Sequence, residues 1–477
     1  MDANMMNKAA KGAVWATIDR FGMMILQFSV NLILARILMP EDFGIIGMLA
    51  IFIVVSQVLI DGGFSSALIQ KKSPSQTDYS TIFFWNIGFS LFIYLILFFA
   101  APLIADFYEM KQLTGVLRSI GISLILNAIF AVQRVRLQKD LAFRTLALTD
   151  ISSYLIGGAV AVFLALHRFG VWSLVVMSIL TTLLSVMITG IITKWHPSIC
   201  FSKKALTELF GFGGFLMAST VLQTICQNLQ GLIIGKKFSA SIMGFFSQAY
   251  KLDQITSYSI PQVIVQVMFP VYSSLQDDTE RLNQVVLMNL RVVTFIVYPL
   301  IASLIIVAEP LITWLYGAKW LPSVPYFRVL CVGGFFVCLQ NINFYAVAAV
   351  GKSKVLFKWS FYKWGFLLTA LMVGMTMGIY GILWGIVASN VNIFIVNANL
   401  ASRYTGLKVS SQIKSMLPIL GTISIASAIT IAIFLMEWNF IICTAILLLS
   451  FFLLSYLFRL KALSETVDVA KRIIKRI

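Results

Sequence analysis

The chain has few charged residues for its length. Of its 477 residues only 12% are charged, against roughly a quarter in ordinary soluble domains, whereas 59% are hydrophobic. A mean hydropathy of +0.91 leaves too little polar surface to cover a soluble particle of this size, and no polar linker divides the chain. These shortages exclude a soluble multidomain protein and predict one integral membrane unit that has the lipid bilayer as its solvent.

Metal-binding and catalytic signatures are also scarce. The five cysteines lie in or beside apolar runs without a close CxxC pair, which indicates small core residues and neither a disulfide framework nor a metal site. The two histidines, His167 and His196, stand apart at loop edges. No phosphate-binding GxxxxGK[ST] motif occurs, and the predicted outside loops are too short for a catalytic lobe. We therefore expect no enzyme, no cofactor and no metal site.

An internal repeat is the most informative feature that the sequence does have. Residues 32–44 recur at an offset of 200 in residues 232–244, and residues 102–108 recur at an offset of 208 in residues 310–316. A third match, at 211, relates residues 169–171 to residues 380–382. Three ordered matches at a nearly constant offset indicate two equivalent halves, an arrangement typical of transporters whose site lies between the repeats.

Apolar runs predict the number of membrane crossings, because roughly 20 residues span the hydrocarbon core. We place about fourteen helices at 14–35, 43–61, 80–105, 117–133, 149–166, 170–193, 209–234, 243–272, 291–308, 327–349, 358–377, 381–402, 415–436 and 438–458. The charge-free stretch 364–402 is too long for one span, and the turn residues Gly378 and Gly381 divide it. The predicted fold class is all-α integral membrane, with two pseudo-symmetric six-helix lobes and two C-terminal helices.

The predicted organisation places the lobes at 1–200 and 201–405, helices 13 and 14 at 406–460, and a basic amphipathic cytoplasmic tail at 461–477. Lysine and arginine accumulate on the cytoplasmic side of membrane proteins. With a cytoplasmic N-terminus, 25 of the 36 basic residues lie in inside segments, Arg134 among them, and nine lie outside. We therefore expect both termini in the cytoplasm and no nucleic-acid partner. The tail is expected to lie on the anionic leaflet, and a solvated tail is the alternative.

Charged side chains within the predicted spans are candidates for the functional site, because each is costly in hydrocarbon. Arg20 and Lys251 lie near mid-depth in equivalent spans of the two halves, beside Asp19 and Asp253. We interpret both cations as lining a hydrated cavity, with local pairing or snorkelling to the interface as the alternative. Lys363 is a third cation candidate, although it lies close enough to the cytoplasm to snorkel.

Uncharged polar residues follow single faces of three predicted helices. They are Gln27 and Asn31 with Arg20 on the first helix, Gln223 and Gln227 with Thr220 and Gln230 on the seventh, and Gln254 and Tyr258 with Gln262 on the eighth. Trp85 and Asn86 lie a turn or two into the third helix. Such stripes either bond helices together or line a wet central cavity, and the number of stripes favours the cavity.

Two carboxylates, Asp61 and Asp253, are candidate coupling residues. Asp61 ends the second predicted helix beside Gly62 and Gly63, so the preferred interpretation is a helix-end residue at the membrane interface. The coupling ion itself stays open at this point.

Several segments resemble bacterial polysaccharide flippases of the Wzx type, in the multidrug/oligosaccharidyl-lipid/polysaccharide exporter superfamily. The resemblance is carried by Gly12–Trp15, Leu34–Gly44, Asp61–Phe64, Ala67–Gln70, Ser80–Asn86, Gln133–Arg144 and Gly244–Tyr250. It implies two six-helix lobes forming a V and alternating access in the bacterial inner membrane. It also implies movement of an undecaprenyl-diphosphate-linked oligosaccharide from the cytoplasmic to the periplasmic leaflet for O-antigen, capsule or exopolysaccharide assembly. A polymerase and a chain-length regulator of the same pathway are the further partners that it implies.

On this resemblance Arg20 and Lys251 are expected to face the diphosphate, and the polar stripes to meet sugar hydroxyls. A multidrug antiporter or a lipid II flippase of the same superfamily is the nearest alternative. A membrane-bound polysaccharide polymerase or ligase is the alternative from another class, and it would need a sizeable periplasmic loop that the predicted topology does not provide.

Overall fold

A computed structural model describes residues 3–436 and 438–474, with side chains described at all of these except 3–11, 13, 212, 215–216, 266, 469–470 and 472–474. Every regular element in these ranges is a helix, which confirms the predicted all-α class. Nineteen α-helices occur in the described ranges. They are α1 (Ala3–Ile37), α2 (Pro40–Asp61), α3 (Phe64–Gln70), α4 (Gln76–Phe107), α5 (Gln112–Ile120), α6 (Ile122–Lys139), α7 (Phe143–Leu166), α8 (Val171–Thr193), α9 (Lys203–Lys237), α10 (Ala240–Gln254), α11 (Ile260–Ser274), α12 (Thr279–Ile306), α13 (Ala308–Tyr316), α14 (Val324–Ala349), α15 (Ser353–Thr376), α16 (Gly378–Thr405), α17 (Val409–Phe434), α18 (Phe440–Leu457) and α19 (Lys461–Ile474).

Eleven spans in the described residues are long and apolar enough to cross a membrane. The other three predicted crossings coincide with α9, with the α10–α11 segment and with α15, so the count of fourteen is approximate. Residues 255–259 form a π-helical turn between α10 and α11, directly before Pro261. The predicted division of the long apolar stretch is confirmed, because α15 ends at Thr376 and α16 begins at Gly378.

The chain divides into two compact units, Met1–Gly244 and Phe245–Ile477. In the first unit α7 packs against α1 and α8, α6 packs against α4 and α8, and α9 packs against α2. In the second unit α14 and α15 pack against α16, and α12 packs against α14, α17 and α19. These units are defined by compact packing, whereas the predicted lobes were defined by the sequence repeat. The lobe boundaries at 200 and 405 therefore stay predictions.

The internal repeat has a direct structural counterpart. Helix α1 ends at Ile37 and α2 begins at Pro40, while α9 ends at Lys237 and α10 begins at Ala240. Both breaks therefore lie at the same repeat position, 200 residues apart. A Cβ added at Gly44 would lie 1.7 Å from the carbonyl oxygen of Ala240, and one at Gly244 would lie 1.8 Å from that of Pro40. Equivalent glycines thus let the first turns of α2 and α10 touch backbone to backbone.

The C-terminal helix α19 is held against α12. Glu465 accepts two hydrogen bonds from the Arg291 guanidinium, and the one from Nε to Oε2 is 2.7 Å long. Both side chains are largely buried. Ala462 is buried in the same contact. The predicted amphipathic tail is therefore helical through Ile474 and docks on protein, whereas its contact with lipid stays a prediction and residues 475–477 lie outside the described residues.

Candidate functional site

The first unit encloses a polar cavity of about 500 Å³ between α1, α6, α7 and α8. Its lining residues are Asp19, Arg20, Met23, Met24, Gln27, Asn127, Phe130, Arg134, Asp150, Tyr154, Thr181, Thr182 and Ser185. Arg20 and Gln27 were predicted to line a hydrated cavity; both line this one, and its hydration and their role in it stay predictions. Asn31, the third member of that predicted stripe, is half-buried outside this lining.

An ion pair organises the charged part of the cavity. Arg134 Nη2 lies 3.0 Å from Asp150 Oδ2, and Asp150 is 9% exposed. The Arg134 guanidinium also lies over the Phe130 ring, 5.6 Å from its centroid. Two cations, Arg20 and Arg134, share the cavity with two carboxylates, Asp19 and Asp150. The formal charge of the four side chains is therefore zero, which distinguishes this cavity from a net-positive anion site.

The lining is layered by depth. Depth along a membrane span is counted at 1.5 Å per residue from the end of the span that faces the cytoplasm in the predicted orientation. By this measure Arg20 lies at about 9 Å in the first span and Arg134 at about 8 Å in α6. Asp150 lies at about 10 Å in α7. Gln27 and Tyr154 lie deeper, at about 20 Å and 16 Å by the same measure. Charged groups thus occupy the level nearer the cytoplasm, and uncharged hydroxyl and amide groups lie beyond them.

Such a lining suits a neutral polyhydroxylated ligand. Carboxylates and tyrosine, threonine and serine hydroxyls accept hydrogen bonds from sugar hydroxyls, while guanidinium and amide groups donate to them. Phe130, Met23 and Met24 offer apolar surface to the faces of sugar rings, as in ligand pockets that combine apolar walls with a few placed polar groups.

The sequence prediction missed most of this cavity. Arg134 was predicted to lie in an inside segment after the span 117–133, whereas α6 continues to Lys139 and carries Arg134 on the helix. Helix α6 extends beyond its apolar run because its backbone hydrogen bonds do not require apolar side chains. A usable signal existed: Asn127 and Arg134 are seven residues apart, and Asp150 and Tyr154 are four apart, so each couple shares one helix face.

Lys363 of α15 is buried against α14 and α16, and its snorkelling to the membrane interface stays a prediction. It is the eleventh of the 24 residues of α15 and is 7% exposed. Its ammonium donates to Asn397 Oδ1 on α16 and lies 5.6 Å from the centroid of the Phe344 ring. Protein groups therefore replace water around this cation, and its role in a cationic substrate cavity stays a prediction.

The remaining predicted polar residues fall into two groups. Gln223, Gln227, Tyr258 and Lys251 have exposed side chains, and Gln254 is half-buried, so a substrate role for them stays a prediction. Gln262 instead accepts a hydrogen bond from Asn341 Nδ2 at 2.8 Å, which joins α11 to α14. At this position the interhelical bonding that was the alternative for polar stripes is confirmed.

Three predicted residues lie away from the large cavity. Trp85 stacks on Phe89 at 5.8 Å between ring centroids and packs against the buried apolar cluster around Phe64, which gives it a packing role. Asn86 is 1% exposed and lines a separate small cavity with Asp61. Asp253 is 4% exposed and accepts a hydrogen bond from Ser257 Oγ at 2.6 Å, so as a candidate coupling residue it belongs to the second unit.

Asp61 is the last residue of α2, as the sequence predicts. Across the described part of the chain, no group of three or more histidine, cysteine, aspartate or glutamate side chains is arranged to hold a metal ion. The candidate site is the large cavity of the first unit.

Comparison with known proteins identifies the family of the chain. A family described as polysaccharide biosynthesis protein matches residues 33–325. The teichuronic acid biosynthesis protein TuaB of Bacillus subtilis (strain 168) is 26% identical over 73% of this chain and 72% of its own length. The succinoglycan biosynthesis transport protein ExoT of Rhizobium meliloti (strain 1021) is 27% identical over 72% of this chain and 70% of its own.

A solved structure shares the fold. The lipid II flippase MurJ, in an inward closed conformation, superposes with a TM-score of 0.72 over 93% of this chain and 98% of its own, at 18% identity. Identity this low relates the two proteins by fold alone.

Proposed function

Because the chain belongs to the polysaccharide biosynthesis protein family, we propose that it is a flippase for lipid-linked oligosaccharides. It carries an undecaprenyl-diphosphate-linked repeat unit from the cytoplasmic to the periplasmic leaflet by alternating access, in the assembly of a surface polysaccharide. It acts in the inner membrane of a bacterium with both termini in the cytoplasm. It moves its substrate without breaking a covalent bond, and it hands the glycan to a polymerase and chain-length regulator.

The charge-balanced cavity of the first unit is the observation that carries this proposal. A volume of about 500 Å³ lined by hydroxyl, amide and paired charged groups accepts part of an oligosaccharide, whereas the surrounding lipid offers sugar hydroxyls no hydrogen bonds. In this assignment Arg134, Asp150 and Tyr154 bind sugar hydroxyls. Arg20, at the cytoplasmic end of the cavity in the predicted orientation, contacts the diphosphate. Lys251 keeps its predicted role as a cation candidate in the second unit.

The alternative functions make different demands on these residues. A multidrug antiporter for cationic compounds needs net negative charge, which the paired Asp150 and Arg134 do not supply. Lipid II is itself a diphosphate-linked saccharide, so a lipid II flippase differs from our proposal in the sugar alone. A polymerase or ligase needs reactive side chains on a large outside loop, and the predicted outside loops are short.

Deletion of the gene with analysis of the membrane lipids tests the proposal. We expect undecaprenyl-diphosphate-linked repeat units to accumulate and the surface polysaccharide to be lost, with the accumulated glycan accessible only from the cytoplasmic face of inverted vesicles. A plasmid copy of the wild-type gene restores both, and so does the control variant Lys236→Ala, which removes an exposed ion pair with Glu109 outside the cavity.

Other outcomes would replace the proposal. Repeat units that accumulate on the periplasmic face would indicate a polymerase or ligase. Unchanged glycolipid together with drug sensitivity would indicate a drug exporter. Accumulated lipid II with normal repeat units would indicate a lipid II flippase.

A further inference from the structure

A second polar cavity in the first unit lies where α2 ends against α4 and α6. It has a volume of about 220 Å³. Its lining residues are Gln57, Ile60, Asp61, Asn86, Leu124, Asn127, Ala128 and Ala131. The polar members of this lining carry one carboxylate and three amide groups, all of which present oxygen atoms.

Asp61 places negative charge at this cavity without a balancing cation. It occupies the C-terminal end of α2, where unpaired carbonyls and the helix dipole already create negative potential. In the parts of the chain that the structure describes, its carboxylate accepts hydrogen bonds from the Ser65 hydroxyl and from the backbone N–H groups of Gly63 and Ser65, and it forms no ion pair. A cation at this position would be attracted by both the carboxylate and the helix end.

The backbone around Asp61 is held in place. Gly62 and Gly63 both adopt left-handed conformations, with φ of 57° and 72°, so the helix stops at the carboxylate. A Cβ added at Gly63 would lie 2.2 Å from the carbonyl oxygen of Gly213, so α9 packs directly on this turn. The following helix α3 is capped by Lys139 Nζ, which donates to the Leu68 carbonyl at 3.0 Å. The carboxylate is therefore presented by a fixed turn.

Asn86 provides an independent sign of a ligand. Its side chain is 1% exposed, and Oδ1 accepts no hydrogen bond from any residue that the structure describes. A buried amide oxygen without a donor is costly, and native proteins pair more than nine in ten such groups. Because Asn86 and Asp61 line the same cavity, one cation can satisfy both oxygens.

We infer that this cavity binds a sodium ion, with the Asp61 carboxylate and Asn86 Oδ1 as ligands and the Gln57 and Asn127 amides beside them. Oxygen ligands select hard cations, and the lining contains neither histidine nor cysteine for a transition metal. A single carboxylate balances one positive charge, which favours a monovalent ion over calcium.

The position of Asn127 connects this ion site to transport. Asn127 lines both the sodium cavity and the larger cavity assigned to the oligosaccharide. When the Asn127 amide contacts the ion, it cannot bond a sugar hydroxyl at the same time. The ion and the oligosaccharide therefore compete for Asn127, and antiport requires such competition. This coupling rests on the proposed function, whereas the ion site itself does not.

The purified full-length protein in detergent tests the ion site directly. We expect equilibrium binding of radioactive ²²Na⁺ at about one ion per chain, and sodium chloride should raise the thermal unfolding midpoint by about 2 °C or more above choline chloride at equal ionic strength. Asp61→Asn and Asn86→Leu, which keep side-chain volume, should each weaken sodium binding about 10- to 100-fold.

Ser90→Ala is the matched control. Ser90 lies one turn from Asn86 on α4, is fully buried, and its hydroxyl already donates to the Ile87 carbonyl at 2.9 Å, so its loss should leave sodium binding unchanged. Equal midpoints in sodium and choline, or sodium binding that persists in both Asp61→Asn and Asn86→Leu, would overturn the assignment. So would a proton effect alone, seen as a pH-dependent midpoint that sodium does not alter.

The two proposals fail separately. If sodium binds as expected and the gene deletion leaves glycolipids unchanged, the ion site stands and the flippase assignment falls. If repeat units accumulate in the deletion strain and ²²Na⁺ does not bind, the flippase stands and the sodium site falls.

Discussion

The contact between Arg134 and Asp150 determines what the large cavity can bind. Removing one partner of a buried pair leaves a charge that neither water nor protein balances, whereas removing both leaves a neutral polar surface. Asp150 is almost fully buried and Arg134 is about two-fifths exposed. The charge of Asp150 is therefore balanced mainly by Arg134, whereas water also balances the charge of Arg134. The two residues can therefore be separated into a structural and a transport contribution.

We predict that Arg134→Gln destabilises the protein by about 1–2 kcal/mol, a figure reduced because Arg134 is partly solvated, and abolishes polysaccharide export. The double variant Arg134→Gln with Asp150→Asn should regain most of that stability and still fail to export. Thermal unfolding in detergent and complementation of the deletion strain measure the two effects. Wild-type export by the double variant would show that the pair is purely structural.

Single residues were predictable where their chemistry was unusual for a span. Arg20 was found because a cation interrupts an apolar run, and Gln27 because it shares a helix face with Arg20. Arg134 and Asp150 lie near the ends of their apolar runs, where charge is ordinary, so hydropathy gave no reason to examine them. The partner across the cavity depends on how α6 meets α7, which no spacing within one helix determines.

At the helix scale, the first turns of α2 and α10 contact each other through backbone atoms. The Gly44 and Gly244 contacts bring each helix to the carbonyl of the other, at repeat positions 200 residues apart. A methyl group at either glycine would overlap a backbone oxygen, which cannot rotate away as a flexible side chain can. The repeat in the sequence therefore preserves a contact as well as a pattern.

We predict that Gly44→Ala or Gly244→Ala lowers the free energy of unfolding by about 1–3 kcal/mol, because overpacking forces the helices apart. Gly88→Ala is the control, since a Cβ at Gly88 in α4 meets no atom within 4 Å and alanine is the better helix former there. Thermal unfolding midpoints of the three variants compare these effects. Equal midpoints for all three would contradict the tight contact.

The helix ends lie within about six residues of their predicted positions except at the starts of α1 and α12, which come 11 and 12 residues earlier than predicted. The predicted span 117–133 is divided into α5 and α6. The break before Pro40 and the break before Ala240 follow from the repeat, and the division at Gly378 follows from turn residues. The π-helical turn at 255–259 and the docking of α19 on α12 were not predictable, because both depend on tertiary contacts. The Arg291–Glu465 pair joins residues 174 positions apart in the sequence.

The whole molecule is a multi-pass membrane protein whose basic residues are distributed unevenly. Its eleven recognised spans and three further long helices agree with an even number of crossings. An even number of crossings would place both termini on one side of the membrane, and the basic bias predicts that this side is the cytoplasm.

Reporter fusions test this orientation. We predict that green fluorescent protein fused after residue 477 is fluorescent, that alkaline phosphatase fused after Lys111 is active, and that the same enzyme fused after Lys352 is inactive. The physical reason is that 25 of the 36 basic residues then lie inside. Active phosphatase after Lys352 would reverse the orientation and with it the depth assigned to Arg20.

The reciprocal glycine contact also bears on how such a chain can arise. In each repeated segment, residues 32–44 and 232–244, a glycine contacts a backbone carbonyl of the other segment. Such a reciprocal contact is the pattern of an isologous interface. Two identical half-length polypeptides would therefore meet through the same contact that this chain makes with itself. Two copies of one such segment therefore satisfy both glycines without any new surface.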